Sequence, residues 1–516
     1  MSTQPASSAH AGRAASEDGR STRALVRLLI AVTMVAGIVS SLGAPLIPAV
    51  ARSLHVSLAS AQWSLTVALL AGAISAPTVG RLGDGRYRRE AIIGSLLVVL
   101  LGSLIAGFAN SLAVLIVGRA MQGVGLGLAP VTMAAARDHL PAARSREVIA
   151  ILSVAGAAGV GAGYPISGLI ATDVSLHAAF FFGALLSGAL VVASAIWIPS
   201  SRDSHGVSLD VRGVAILAVG LVALLIAIAQ GEEWGWGSAR ILGLFVAAAA
   251  ILAGWTVSQL RREVALVDLR QLRHRAVLTA DLAALVLGVA LYMFLTLVTE
   301  FVQEPLSGGF GFGSSTLTAG LCLVPFSVTS ILASRIAGAA SRRLGTTVVL
   351  VGGTLVTASA GAFFALLHGA LWEAFVSMGV LGVGFGYTFA AIPGLITQAV
   401  PERDTGSAMG LYQVIRSIGF SIGSALAASI LAGDLVAGSG RPSEHGYVTA
   451  IWVGSAICVA AAIMPLLIAR RAPVAAGALA PDARRALGVE DAELGAAGLV
   501  GVERPAVDEP SAGRSS

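Results

Sequence analysis

Apolar residues in this chain gather in long runs, and polar residues are held to the gaps between them. Fourteen such runs lie near 25–50, 62–82, 91–109, 112–136, 148–171, 177–198, 209–229, 239–259, 276–302, 314–338, 346–368, 371–397, 407–431 and 447–469. A helix of about 20 apolar residues crosses the hydrocarbon core of a bilayer. Lipid offers backbone groups no hydrogen-bond partners, so each run predicts a helix. The first run is too long for the apolar core of a cleaved signal and is read as a span. The class expected is an all-α polytopic membrane protein of fourteen spans.

Composition changes this picture only by confirming it. Charged residues make up 12% of the 516-residue chain, about half the usual share for a soluble protein, too little to cover a soluble surface. Every basic residue is Arg, and the two cysteines, Cys322 and Cys458, sit inside apolar runs. That pattern predicts neither a disulfide framework nor a metal site. The histidines lie at loops or span edges without ligand spacing. No phosphate-binding loop is present, so neither ATP hydrolysis nor any cofactor is expected.

The placement of the arginines sets orientation. Gaps on one side hold eighteen of them: Arg81, Arg86, Arg88, Arg89, Arg137, Arg144, Arg146, Arg202, Arg212, Arg261, Arg262, Arg270, Arg273, Arg275, Arg335, Arg342, Arg343 and Arg403. Gaps on the other side hold three, Arg52, Arg240 and Arg441. An excess of positive loops marks the cytoplasmic side. Both termini are therefore expected inside the cell, with the protein in the cell membrane. The same bias makes membrane topology, not nucleic acid, the reason for the basic balance. The aromatic stretch 232–238 is expected outside, as an interfacial anchor.

The chain also repeats itself. "GVGLG" at 123–127 returns as "GVGFG" at 382–386, "LPAARS" at 140–145 as "VPERDT" at 400–405, and Gly159 and Gly163 as Gly419 and Gly423. The shared offset divides the chain into a cytoplasmic lead-in (1–24), a six-helix bundle (25–198), an inserted pair of spans with its loops (199–275), a second six-helix bundle (276–469) and a disordered cytoplasmic tail (470–516). Equivalent spans run in the same direction, a parallel repeat that predicts a cavity where the halves meet.

Between spans two and three lies "GRLGDGRYRR", residues 80–89, a glycine-spaced hairpin with five charges. Gly80 and its neighbours allow a tight turn, and Asp84 can pair with Arg or with a neighbouring helix terminus. Two readings stand side by side here. Gly80, Asp84, Arg88 and Arg89 form a conformational latch that breaks when the halves rock, or the arginines only enforce topology.

With these residues in view, the sequence resembles the major facilitator superfamily, most closely its fourteen-span drug:proton antiporter branch, over roughly residues 25–470. The family's hairpin motif, Gly-x-Leu-Ala-Asp-Arg-x-Gly-Arg-Lys, is matched by Gly80, Leu82, Asp84, Arg88 and Arg89, with Gly85 and Tyr87 departing from it. Its span-four pattern, Arg-x-x-Gln-Gly, is present as Arg119, Gln122 and Gly123. Its span-five exporter motif is partly kept in "GVGAGYPISGL", with Gly163, Pro165 and Gly168, read either as an export hinge or as plain helix packing. The resemblance implies a secondary active exporter of hydrophobic or amphipathic small molecules, working by alternating access and proton antiport. A dedicated exporter of one natural product is the alternative; an importer, channel or membrane-embedded enzyme fits less well.

Charged groups inside spans are costly and point to function. Arg119 is one, and Asp281 and Glu300 in span nine are the candidate proton carriers, since the acid that the related antiporters carry in span one is missing. Glu300 is favoured over Asp281, on the expectation that it faces Arg119 across the cavity. Protons, a small-molecule substrate and membrane lipid are the expected partners of a monomer.

Overall fold

A computed structural model of the chain describes residues 6–42, 46–56, 58–199, 210–262, 265–266, 269–273, 275–401, 404–436 and 441–470. The first half holds α1 (Ala6–Ser41), a short α2 (Ile47–Ser53), α3 (Leu58–Leu82), α4 (Arg88–Gly107), α5 (Leu112–Gly123), α6 (Leu128–His139), α7 (Ala142–Asp173) and α8 (Leu176–Trp197). A single turn of 3₁₀ helix, Val124–Gly127, joins α5 to α6 within one span. The insertion is α9 (Val211–Ala229), the one-turn α10 (Gly231–Trp234) and α11 (Ala239–Arg261). The second half is α12 (Arg275–Gln303), α13 (Thr316–Leu321), α14 (Leu323–Leu344), α15 (Thr346–Leu366), α16 (Leu371–Ala399), α17 (Thr405–Ala432) and α18 (Glu444–Arg470).

Among the described residues, fourteen helical segments are long and apolar enough to cross a membrane. Their bounds follow the hydrophobic runs closely, with two differences. The first span stops at Ser41, not 50. The apolar residues beyond it form the separate α2, with a proline in its first turn where a missing N–H costs nothing. The tenth span is broken at Cys322 into α13 and α14, just before Pro325, whose ring cannot donate the next helical hydrogen bond. Helix α1 also reaches back to Ala6, well into the polar lead-in. Of the expected tail, 470–516, only Arg470 is described, as the last residue of α18; the rest lies outside the described residues.

Helices up to Leu466 form one compact unit; of the second, Leu467–Ser516, only the last residues of α18 are described. Within the first unit the sequence repeat reappears as packing. In the first half α1 lies on α7, and a Cβ added to Gly37 would strike the Gly156 carbonyl. In the second half α12 lies on α17, and a Cβ on Gly288 would crowd the Arg416 carbonyl. These are the same helix crossing built twice, each needing glycine for close approach. The halves meet through α3 against α17 and α14 against α7, two contacts that the repeat exchanges. Helices α9 and α11 close one side of that seam. Leu217, Leu221, Leu225 and Trp255 of the pair share a core with Leu70 of α3 and Val414 of α17.

Candidate functional site

The 80–89 hairpin joins the two halves. Asp84 is buried, and its carboxylate accepts hydrogen bonds from the backbone N–H groups of Gly406 and Ser407, the latter at 2.9 Å. Those N–H groups belong to the first turn of α17, where free donors and the helix dipole favour a negative group. Arg81 stands 3.6 Å from Asp84 and 3.9 Å from Asp404. Helices α3 and α17 touch at Gly80 and Gly406, where a Cβ on either residue would meet the other's carbonyl. Arg137 adds a second stitch from α6, donating to Thr405 Oγ1 at 2.5 Å and to the Val400 carbonyl at 3.1 Å.

The remaining hairpin residues hold the first half to itself. Arg88 donates to the Gly83 carbonyl at 2.6 Å and meets Asp138 at 2.5 Å, and Arg89 donates to the Ala195 carbonyl. So Gly80 and Asp84 reach across the seam, while Arg88 braces the turn that presents them and Arg89 ties α4 to the end of α8. Burial pushes the Asp84 carboxyl up to about 7, outweighing the pull of its N–H donors and Arg81.

Arg119 is fully buried, but its partners are not those expected. Its guanidinium donates to the carbonyls of Ser64 (3.1 Å), Val39 (3.2 Å) and Ser40 (2.9 Å) and to Gln122 Oε1 (2.7 Å). Gln122 in turn donates to Ser103 at 2.9 Å, and Gly123 packs on the Ala68 carbonyl. The span-four motif thus ties α1, α3, α4 and α5 together. The facing pair expected of Arg119 and Glu300 is not formed: all four acceptors of Arg119 lie in the first half, while Glu300 is exposed near the end of α12. Carbonyls at the outer ends of α1 and α3 reach the guanidinium first, and a sequence pattern carries no trace of them.

Between the halves lies a cavity of about 650 Å³. Its walls come from both halves and from the insertion, with Thr33, Gly156 and Tyr164 on one side, Tyr292 and Arg416 on the other, and Trp236 at the rim. The lining runs from mid-span toward the ends of the helices away from the hairpin. Beyond it, on the hairpin side, Asp84 and Arg137 hold the halves together. The molecule is therefore closed on the hairpin face, with its cavity toward the other.

The span-five residues line or flank this seam. Helix α7 runs through Pro165 without a break, Gly163 and Gly168 are buried, and a Cβ on Gly320 of α13 would meet the backbone at Tyr164 and Pro165. The motif's position is that of a close helix contact between halves. In the 232–238 loop the Trp236 indole donates to Ser429 Oγ of α17 at 3.0 Å.

One buried charge in the cavity wall was not singled out from the sequence. Arg416 lies near the middle of α17, 6% exposed, with Nη1 donating to the Ser153 carbonyl (3.3 Å) and the Tyr412 hydroxyl (3.5 Å), and Nη2 to Gln413 Oε1 (2.5 Å). An Arg nine residues past the start of the 407–431 apolar run was the available signal; it was hidden inside "GSAMGLYQVIRSIGFSIGSAL", which reads as a packing motif. Asp281 is buried on α12, which packs along α17, with Oδ1 lacking a hydrogen-bond partner.

Two six-helix halves around a shared cavity, pinned at one face, are the frame of a membrane transporter. The family model described as Major Facilitator Superfamily matches residues 29–424 and again 281–500, and the chain belongs to that family. It is 28% identical over 428 residues to the tetracenomycin C resistance and export protein of Streptomyces glaucescens, covering 80% of this chain and 76% of that one. It is also 28% identical over 380 residues to a multidrug resistance protein B homolog of Mycobacterium tuberculosis, covering 72% and 68%. The solved human organic anion transporter MFSD10 (TETRAN) shares the fold at a TM-score of 0.60 and 14% identity, covering 86% of this chain and 99% of that one.

Proposed function

We propose that the protein exports hydrophobic or amphipathic small molecules from the cell by alternating access, driven by proton antiport. The observation that carries this reading is the cavity shared between halves that are pinned together at the hairpin face by Asp84. Its size suits a drug-sized molecule, and its wall is mainly apolar with a few polar groups. The two bacterial relatives, named for resistance and export, point the same way. The hairpin face is cytoplasmic in this reading, by the arginine bias, and the halves follow the 25–198 and 276–469 division. Here the latched state is the one that releases substrate outward.

Asp281 is the proton carrier in this proposal, in place of Glu300. A carrier must meet one side at a time, so it needs an enclosed position in at least one state. Asp281 is enclosed on α12, the helix that packs along α17, whose Tyr412 hydroxyl lies 3.3 Å from Ser153 of the other half. Glu300 is exposed. Accumulation of a fluorescent amphipathic dye in cells tests the reading. Cells making the protein should hold less dye than controls, and an uncoupler should abolish the difference. Equal dye in both cell types, across a panel of such compounds, counts against export.

A further inference from the structure

Arg416 is a buried cation whose hydrogen bonds all go to neutral groups. The Ser153 carbonyl, the Tyr412 hydroxyl and the Gln413 amide take Nη1 and Nη2, while Nε is buried without a partner. Among the described residues, no acid forms an ion pair with it. Taking a charge out of water without a counter-charge costs several kcal/mol, and such a group persists inside a membrane protein where it serves function.

Packing does not account for it. The crossing of α12 on α17 repeats that of α1 on α7, and there the position equivalent to Arg416 is Gly156. The fold therefore needs no guanidinium at this point. Arg119 offers the contrast: equally buried, it has three carbonyls and a glutamine around it and stays out of the cavity wall. Arg416 is part of that wall, and the other charged residue lining it, Glu233, is exposed.

The surroundings of the guanidinium are aromatic. Phe420 lies 5.6 Å from it and stacks on Tyr292 with ring centroids 5.5 Å apart, both rings lining the cavity. We propose that Arg416 is the anion-binding group of the cavity, and that the substrates are amphipathic organic anions: a flat apolar body against Tyr292 and Phe420, carrying a carboxylate or similar group that pairs with the guanidinium. This rests on the reading of the cavity as a substrate site. A carboxylate there supplies the missing counter-charge and an acceptor for Nε, the charge-assisted geometry that arginine favours.

The test is equilibrium binding to the purified full-length protein in detergent, with anthracene-2-carboxylate and its neutral isostere anthracene-2-carboxamide as probes. Wild-type protein should bind the carboxylate on the order of tenfold more tightly than the amide, the scale of one charge-assisted hydrogen bond. Arg416→Gln should remove that preference while leaving the amide affinity within about twofold, and Arg416→Lys should restore part of it. Should Arg416→Gln fail to fold, the wild-type pair of affinities still decides. Equal wild-type affinities, no carboxylate binding up to millimolar concentration, or a preference that survives Arg416→Gln overturns the proposal. Binding needs no gradient, so a protein that prefers the carboxylate yet fails to export dye loses the export reading and keeps the site.

Discussion

The carboxylate of Asp84 accepts a hydrogen bond from the Ser407 backbone N–H at 2.9 Å, joining the second span to the thirteenth. One side chain of the first half thereby caps a helix of the second. Asp84→Asn keeps the shape but turns an amide N–H₂ toward backbone donors, which it cannot accept from. Turnover in vesicles is expected to fall about tenfold, the scale of a lost buried hydrogen bond, with expression near normal. Unchanged turnover would mean that the hairpin serves topology alone.

The same contact depends on pH. Burial raises the Asp84 carboxyl to about 7 in the closed form, from an ordinary value of 3.8. Once the hairpin leaves α17 and water returns, the group resumes the ordinary range. The closed form thus holds the proton more tightly. Its stabilisation is complete below about 4 and is lost as pH rises through about 7. A cysteine at Ala408, buried near the start of α17, gains thiolate and so reactivity with pH in any background, but its labelling should rise more steeply from about pH 5 to 8 with Asp84 present than in Asp84→Asn. Identical pH profiles in the two backgrounds, or a shallower rise with Asp84 present, refute the linkage.

Closure also requires the glycine crossing. A methyl at Gly406 would press on the Gly80 carbonyl and the Asp84 carboxylate. Overpacking of this kind costs about 1–3 kcal/mol, here charged only to the closed state. Gly406→Ala should raise labelling at Ala408→Cys roughly tenfold or more at fixed pH. Labelling as slow as the parent's would show that the seam accommodates the methyl.

Topology has a direct check. The native cysteines are buried, so they give little background. Cysteines placed at exposed Tyr87 in the hairpin and at Gly237 beyond α10 should react with an impermeant reagent from inside and outside respectively. The opposite pattern inverts the arrangement.

The fourteen spans and the two halves were legible because each span must be apolar along its whole length, and because the repeat keeps its glycines where helices cross. The hairpin was legible too, since Asp84 and its glycines stand between two apolar runs. Pairings through the backbone were not. Nothing in the residues around Arg119 announces that the carbonyls of Val39, Ser40 and Ser64 converge on it. Nor does spacing reveal that Glu300 is exposed while Asp281 is enclosed. Arg416 was visible as a charge in an apolar run, but its value lies in facing a cavity, which only the packed halves define.

Everted membrane vesicles test the central claim, that exchange through the shared cavity is coupled to protons at Asp281. Wild-type vesicles should accumulate substrate when a proton gradient is imposed and lose it when the gradient is collapsed. Asp281→Asn should abolish the gradient-driven accumulation while substrate binding remains measurable, and Glu300→Gln should keep most of it. Gradient-driven accumulation by Asp281→Asn with wild-type pH dependence would contradict the account.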